Sequence, residues 1–414
     1  MVSHFRCARI VKCLLLPTLL FVVVLCFVSS VRNSVTPRDE VSEALPQHLT
    51  QGYVEEQWDR AGHLREKLLD RRVDSKFVAV RDYLKASRTY SGNSSVTLTT
   101  QGTYEFLHHV EELCIRWRAP VSVAVYAPGG DFVPAVERML YLRHCRHPCL
   151  KINVTWHVIF DKLHALAEDT LLEAREGSSD CQRVPNSTSS YRQEHGLTYP
   201  INVARNVARK AARTHYVLAS DIELYPSLDI VPKFLDMVSK EEGAAFPRVY
   251  VLPVFEVEKN CQVPGTKKQL LQLFYKKKAV FFHRSVCDPC HRFPNRNLWL
   301  KIFPPNDTLN VFSITKRYYP WEPFYIGTRN EPIFDERFTW EGKMNKMPQV
   351  LAMCFLDYDF YVLDNAYLVH SPGIKKVNGT SERRRAKYVA ANRRAYNSLR
   401  RDLIKRYGQK RKCR

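Results

Sequence analysis

Between Ala119 and Ser227 the chain alternates two kinds of segment, and that alternation restricts the fold more than any other feature. APVSVAVYAPGGDF (119–132) opens with Val121, Val123 and Val125 in a β-branched run that stops at Pro-Gly-Gly. DFVPAVERMLYLRHC reads as a helix with Asp131 at its cap. KINVTWHVIFD (151–161) is a second strand, and residues 162–198 are mostly loop. YPINVARNVARKAARTH (199–215) is a helix with small Ala residues on its packing face, and YVLAS is a third strand. Strand, helix, strand, helix, strand is the pattern of an α/β fold with a mostly parallel central sheet. Ligands of such sheets bind beyond the carboxyl ends of the strands. No internal repeat is present.

The third strand runs into two acids, Asp221 and Glu223, in HYVLASDIELYPS. In an extended segment, side chains at i and i+2 point to one face, so both carboxylates are expected to reach one cation. Hard oxygen ligands suit Mg²⁺ or Mn²⁺, ions that bridge protein carboxylates to a diphosphate. Acids ahead of PSLDIVPKFLDMV also suit a helix start. Their place, after a buried strand and before a turn, favours the ion site. A second cluster, NAYLVHSPGIKK (365–376), carries His370 at a strand end, a turn at Pro372-Gly373, and Lys375 and Lys376. The imidazole tilts the metal toward Mn²⁺. Gly373 lets the backbone approach a diphosphate, and the lysines offset charge on a departing phosphate. Between the clusters, Trp321, Phe324, Tyr325, Phe334, Phe338 and Trp340 surround Glu322, Asp335 and Glu336. Such a mixture suits a sugar pocket, and core packing accounts for several of the aromatics as well. A carboxylate in apolar surroundings has a raised pKa and can serve as a general base.

Residues 13–31 are uncharged and mostly apolar, about the length that crosses a bilayer as a helix. Arg6, Arg9 and Lys12 precede them, which leaves residues 1–12 cytosolic and the rest lumenal. A cleaved signal peptide is the alternative. Residues 32–118 are expected to form a lumenal stem, 119–380 the catalytic domain, and 381–414 a basic helix. The stem, with an amphipathic helix over Val54–Arg72, is either a spacer or a dimerising element. Five sequons (Asn93, Asn153, Asn186, Asn306, Asn378) fit the secretory pathway. So do nine cysteines after the apolar stretch, for which disulfides with one thiol left over are expected. Cys287-Asp-Pro-Cys290 is read as disulfide rather than half a zinc site. Of the net charge of +21, residues 381–414 supply fourteen Lys/Arg against two acids. Tyr388, Ala391, Ala395, Leu399 and Tyr407 recur there as a docking face. The compartment argues against a nucleic-acid partner and leaves an acidic glycan or membrane head groups for the basic face.

NVARNVARKAARTHYVLASDIELYPS, WEPFYI…FDERF and NAYLVH together resemble glycosyltransferase family 49, over about Pro120 to Lys376. The chain is similar in length to the single-domain β-1,4-glucuronyltransferase-like members rather than the two-domain LARGE-type ones. The resemblance implies a GT-A fold, a UDP-sugar donor, a glycan acceptor in protein O-glycosylation, Mn²⁺ (with Mg²⁺ as the alternative) and a single-pass type II Golgi membrane protein. It implies Asp221, Glu223 and His370 as metal ligands, donor contacts at Asn202, Arg205 and Asn206, and an acceptor-side base at Glu322 or Asp335. It implies inverting transfer, with glucuronate from UDP-glucuronate first among donors and UDP-N-acetylglucosamine or UDP-xylose as alternatives. Glu223 stands where the family usually has Asp, which keeps open a catalytically silent, glycan-binding relative.

Overall fold

The computed structural model describes residues 76–413, except 168–169, 172–173, 175–179, 186–188, 242–246, 304–306 and 377–378. The expected cytosolic tail, the apolar stretch 13–31, the helix over Val54–Arg72 and the sequons at Asn186, Asn306 and Asn378 lie outside the described residues. Among the described residues no helix is long and apolar enough to cross a membrane.

The class is mixed α/β around two sheets. The strands, in chain order, are β1 (Phe77–Leu84), β2 (Gly92–Gly102), β3 (Val121–Tyr126), β4 (Val154–Asp161), β5 (Thr214–Ala219), β6 (Leu224–Pro226) and β7 (Arg248–Leu252). Then come β8 (Val254–Val257), β9 (Ala279–Phe281), β10 (Asn310–Thr315), β11 (Phe324–Thr328), β12 (Asp359–Asp364) and β13 (Leu368–His370). The helices that matter here are α1 (His109–Trp117), α2 (Phe132–Cys145), α3 (Ile201–Ala211), α4 (Ile230–Ser239), α5 (Lys267–Tyr275), α6 (Met347–Phe355) and α7 (Gly379–Tyr407).

The large sheet has the order β1-β4-β3-β2-β5-β11-β7-β12-β10. β2, β3, β4, β5, β7 and β12 share one direction, and β1, β10 and β11 oppose them. The small sheet has the order β6-β13-β8-β9. The expected three strands are β3, β4 and β5. β2 was expected as stem. It lies instead between β3 and β5, with Leu98 opposite Val121 on one side and Leu218 on the other. The expected boundary at Ala119 therefore falls inside the sheet. SGNSSVTLTTQG looks like a linker because its residues are small and polar. Most of its side chains are nevertheless buried, and Thr97 pairs its hydroxyl with that of Thr214 at 2.6 Å.

Period-two alternation separates two cores. Val121, Val123 and Val125 enter the larger cluster with Phe132, Val136 and Met139 of α2. Ala124 and Tyr126 face the other way, onto Val203, Ala204, Val207 and Ala208 of α3. Small residues on both sides let α3 lie close to the sheet. Each fully buried Val contributes about 1.5–3 kcal/mol. Asp131 occupies the position before α2 without capping it. Its carboxylate accepts the amides of Tyr191 (2.7 Å) and Arg192 (2.9 Å), which ties the 162–198 segment back to the sheet end.

Disulfides join Cys114–Cys149, Cys145–Cys181, Cys287–Cys290 and Cys354–Cys413, leaving Cys261 as the free thiol among the described residues. The basic helix α7 docks on α6 through Tyr396, Leu399 and Leu403, while Asn392 donates to the Thr339 and Lys343 carbonyls ahead of α6. Ala391, expected on that face, is exposed. Of the described sequons, Asn93 is exposed, whereas Asn153 is buried and accepts the Tyr90 hydroxyl at 3.0 Å.

Candidate active site

The large sheet hands the chain to the small one at Asp221–Leu224. β5 ends with Ala219 opposite Thr99, and the Ser220 amide adds one more bond to the Thr99 carbonyl at 2.9 Å. The Leu224 amide then closes a turn on the Asp221 carbonyl at 3.0 Å, and β6 begins. The two acids therefore sit in a turn, not in the extended segment expected from their spacing, and their side chains take different partners.

Glu223 reaches His370 through strand register. β6 pairs antiparallel with β13, with Leu224 opposite His370, and the Ser371 amide extends the ladder to the Glu223 carbonyl at 2.8 Å. His370 Nε2 then lies 2.9 Å from Glu223 Oε2. Its Nδ1 lies 2.7 Å from the Ser371 carbonyl, which can only accept, so Nδ1 carries a hydrogen. Nε2 is left to face a carboxylate oxygen, an approach that calls for a second ring proton or a cation in its place. In metal-binding histidines the nitrogen that does not ligate is held by such a carbonyl, which leaves the other to ligate; here that other nitrogen meets Glu223. The Lys375 ammonium donates to the same Glu223 oxygen at 3.2 Å. The hydrogen bond from His370 first, then the Lys375 and His370 charges, outweigh burial and hold the Glu223 pKa at about 2.

Asp221 turns to other cations. Its Oδ1 accepts Arg205 Nη2 at 2.7 Å and Gln101 Nε2 at 3.3 Å, and its Oδ2 lies 3.5 Å from the Lys346 ammonium. Burial alone would raise its pKa, but the charges of Lys346 and Arg205 hold it well below the usual carboxylate range. Lys346 also approaches Glu322 at 3.8 Å and sits over the Phe324 ring at 4.6 Å. Glu322 is buried, and desolvation raises its pKa despite Lys346 and Arg205 nearby. Asp221, Lys346 and Glu322 thus form one cluster beside the Glu223–His370 pair. Among the described residues, no three His, Cys, Asp or Glu side chains converge closely enough to hold a metal as they stand.

α3 explains where the remaining expected residues go. Asn202, Arg205, Asn206 and Arg209 are spaced i, i+3, i+4, i+7 and share one face. Asn202 donates to the carbonyls of Asp335 and Asn345, both at 2.8 Å. Asn206 accepts the Phe334 amide at 3.0 Å and donates to the Phe334 carbonyl at 2.8 Å. Arg209 donates to the carbonyls of Pro332 (2.9 Å) and Glu331 (2.7 Å). This stripe clamps the 331–336 loop. Asn202 and Asn206, expected at the donor, are buried in that clamp, and only Arg205 extends from it to Asp221.

Asp335 is bound by Arg337 through both oxygens and lines a separate cavity against α6 and α7. The Gly373 amide donates to the Val257 carbonyl at 2.9 Å, so it is committed within the fold. Its φ of +136° is what requires glycine there. Lys376 is exposed. Glu256, buried in β8, accepts the amides of His283 (3.1 Å) and Lys375 (3.2 Å) and so fixes the loop that presents Lys375. The expected aromatic sugar pocket is largely core: Trp321, Phe324, Phe334 and Phe338 are buried, and exposed Trp340 stacks under Arg385. Of these, Phe324 lies beside the site under Lys346, and the other aromatic groups there were not expected. Phe282 stacks on His370 with centroids 5.8 Å apart, and His291 on Phe324 at 6.0 Å. Burial lowers the His283 pKa to about 3 and that of His291 as well, so both rings are neutral.

The model of a family described as the glycosyl-transferase for dystroglycan matches residues 95–408. Beta-1,4-glucuronyltransferase 1 of Danio rerio is 32% identical over 323 residues, 75% of this chain and 74% of that protein. The protein of the same name from Homo sapiens is 28% identical over 302 residues, 70% of this chain and 71% of that protein. Xylosyl- and glucuronyltransferase LARGE1 of Mus musculus is 23% identical over 317 residues, which are 76% of this chain and 36% of that protein.

Proposed function

The chain belongs to this glycosyltransferase family, and on that premise we propose that it is a GT-A enzyme moving glucuronate from UDP-glucuronate to a glycan acceptor, in a β-1,4 linkage with inversion. The proposed setting is the Golgi lumen, with residues 13–31 as a type II anchor and Mn²⁺ as the metal. The observation that carries the reading is the Glu223–His370 pair at a strand end, with Lys375 on the same carboxylate. Glucuronate is preferred because the relatives covered over more than two thirds of their length are named as glucuronyltransferases.

Glu223 and His370 are the residues that would hold the ion, since His370 Nδ1 is occupied by Ser371 and Nε2 presents toward Glu223. Bound there, a divalent ion would act as Lewis acid on the departing diphosphate. Lys375, and Lys376 beside it, would offset charge on that phosphate. Asp221 is kept ionised by Lys346 and Arg205 and would supply negative charge beside the ion.

Inversion needs one base on the acceptor hydroxyl and no covalent sugar-enzyme intermediate. Glu322 suits that part better than Asp335. It is buried, its pKa is raised, and Lys346 links it to Asp221. Asp335 is occupied by Arg337. Its raised pKa suits Glu322 to take a proton.

The test is turnover of a panel of UDP-sugars by the purified chain, with Mn²⁺ and with chelator. Chelator-sensitive UDP release from UDP-glucuronate above all others supports the reading. Preference for UDP-xylose or UDP-N-acetylglucosamine would reassign the donor, and undiminished release in chelator would remove the metal.

A further inference from the structure

The last helix carries a cationic feature away from Asp221 and Glu223. At about 100° per residue, the buried residues Asn392, Tyr396, Leu399 and Leu403 of α7 fall within an arc of about 60°. On the opposite side, Arg383, Lys387, Arg394, Arg401 and Lys405 are exposed and fall within about 40°. No Asp or Glu among the described residues of α7 shares that arc. From Arg383 to Lys405 the stripe runs about 33 Å. Arg383 with Lys387, and Arg401 with Lys405, are like charges at i, i+4, a spacing that weakens a helix. The buried face and the Cys354–Cys413 bond hold α7 in place despite that repulsion.

At Lys405 the stripe meets a cavity of about 540 Å³ between α6, α7 and the 332–337 loop. Ala352 and Leu399 supply apolar wall, and Asp335, Arg337, Asp402, Lys405 and Arg406 supply charge. Asp335 and Arg337 bind each other, which leaves Lys405 and Arg406 against Asp402 at the mouth of the stripe. The volume falls in the usual range for small-ligand sites, about 300–1,000 Å³.

We propose that stripe and cavity together form a docking site for an anionic saccharide chain. The carboxylates of the chain follow the cations of α7, and one sugar unit enters the cavity beside Lys405. A row of single-sign charge attracts a polyanion over a Debye length. An anionic lipid surface would also meet the stripe, but it would leave the cavity unfilled, and this favours the saccharide. The inference rests on the proposed uronate chemistry only for the identity of the anion. The loop that forms the cavity wall is the one clamped by α3, since the Asp335 carbonyl accepts from Asn202. A chain docked there is held outside the catalytic cluster yet against its supporting loop.

The test is calorimetric titration of the full chain, without donor or metal, using a hyaluronan tetrasaccharide as acidic probe and chitotetraose as neutral probe. Expected is binding of the acidic probe alone, weakened at least about 10-fold in Arg401→Glu/Lys405→Glu and strengthened in Asp402→Asn. UDP release from UDP-glucuronate should stay within about twofold of the parent in both variants. Equal binding of the two probes, or unchanged affinity for the acidic one in either variant, overturns the proposal. So does binding of phosphatidylserine vesicles without saccharide binding, which would assign the stripe to a membrane. Because this readout needs no turnover, its failure leaves the donor assay standing, and failure of the donor assay leaves this readout intact.

Discussion

His370 and Glu223, 147 residues apart in the chain, meet at 2.9 Å because β6 and β13 pair with Leu224 opposite His370. The contact is a consequence of register, so a one-residue slip of β13 would replace the imidazole with a neighbour and turn it to the other face.

Replacing His370 by Ala should therefore separate metal from fold. We expect Mn²⁺ affinity by calorimetry and UDP release to fall together, by about 100-fold or more, with circular dichroism unchanged. Glu223→Gln should do the same. A His370→Ala protein with parental Mn²⁺ affinity would remove this pair from metal binding.

Glu322 and Asp335 should part company. Glu322→Gln is expected to lower kcat by about 10²–10⁴-fold with donor KM near the parental value, the scale of a lost general base. Asp335→Asn should leave kcat within about twofold, because that carboxylate is engaged with Arg337. Lys346→Met removes a charge that lowers the Glu322 pKa, so that pKa rises further. A base must be deprotonated, so the acid limb of the kcat/KM profile should move to higher pH. A limb that stays put would exclude Glu322.

His157 gives a pH dependence of stability. It is fully buried, its Nδ1 accepts the Asp82 amide at 2.8 Å, and its Nε2 meets Ser122 Oγ at 2.9 Å. Burial lowers its pKa to about 4. Between about pH 6.5, where the unfolded side chain takes up its proton, and about 4, the unfolded state binds more protons. Stability present above pH 6.5 is thus lost on acidification, up to about 3 kcal/mol for this group. Denaturant titrations across that window should show the slope, and His157→Gln should flatten it.

The α3 clamp should matter to stability before it matters to donor binding. Asn206→Ala leaves the Phe334 amide and carbonyl unpaired in a buried place. A loss of about 1–3 kcal/mol is expected, read as a lower Tm, with donor KM near the parental value. A large KM increase without a Tm change would return Asn206 to the donor site.

Much of the sheet is legible in the chain because β3, β4 and β5 are β-branched runs between helical segments. β2 is not, since a strand buried on both faces in Ser and Thr has the composition of a linker. The clamp is half legible: the Ala face of α3 announces its packing, but the partners of Asn202 and Asn206 lie more than a hundred residues away. At the candidate site, the spacing of Asp221 and Glu223 identifies the place but not the conformation, because the crossing between sheets turns the chain there. Lys346 and Gln101 carry no local signal. They reach Asp221 only once β2 and α6 are in position. The aromatic-rich segment misleads for a plain reason: burial in a core and stacking on a sugar draw on the same residue types.

β2 also has a bearing on how the molecule assembles. Its neighbours β3 and β5 close on it from both sides, and β5 is synthesised more than a hundred residues later. The middle of the sheet is thus laid down early and completed late, a non-local pairing of the kind that slows folding. A fragment trimmed to Ala119 would lack its central plank, leaving two unpaired edges in the floor beneath Asp221 and a route to aggregation.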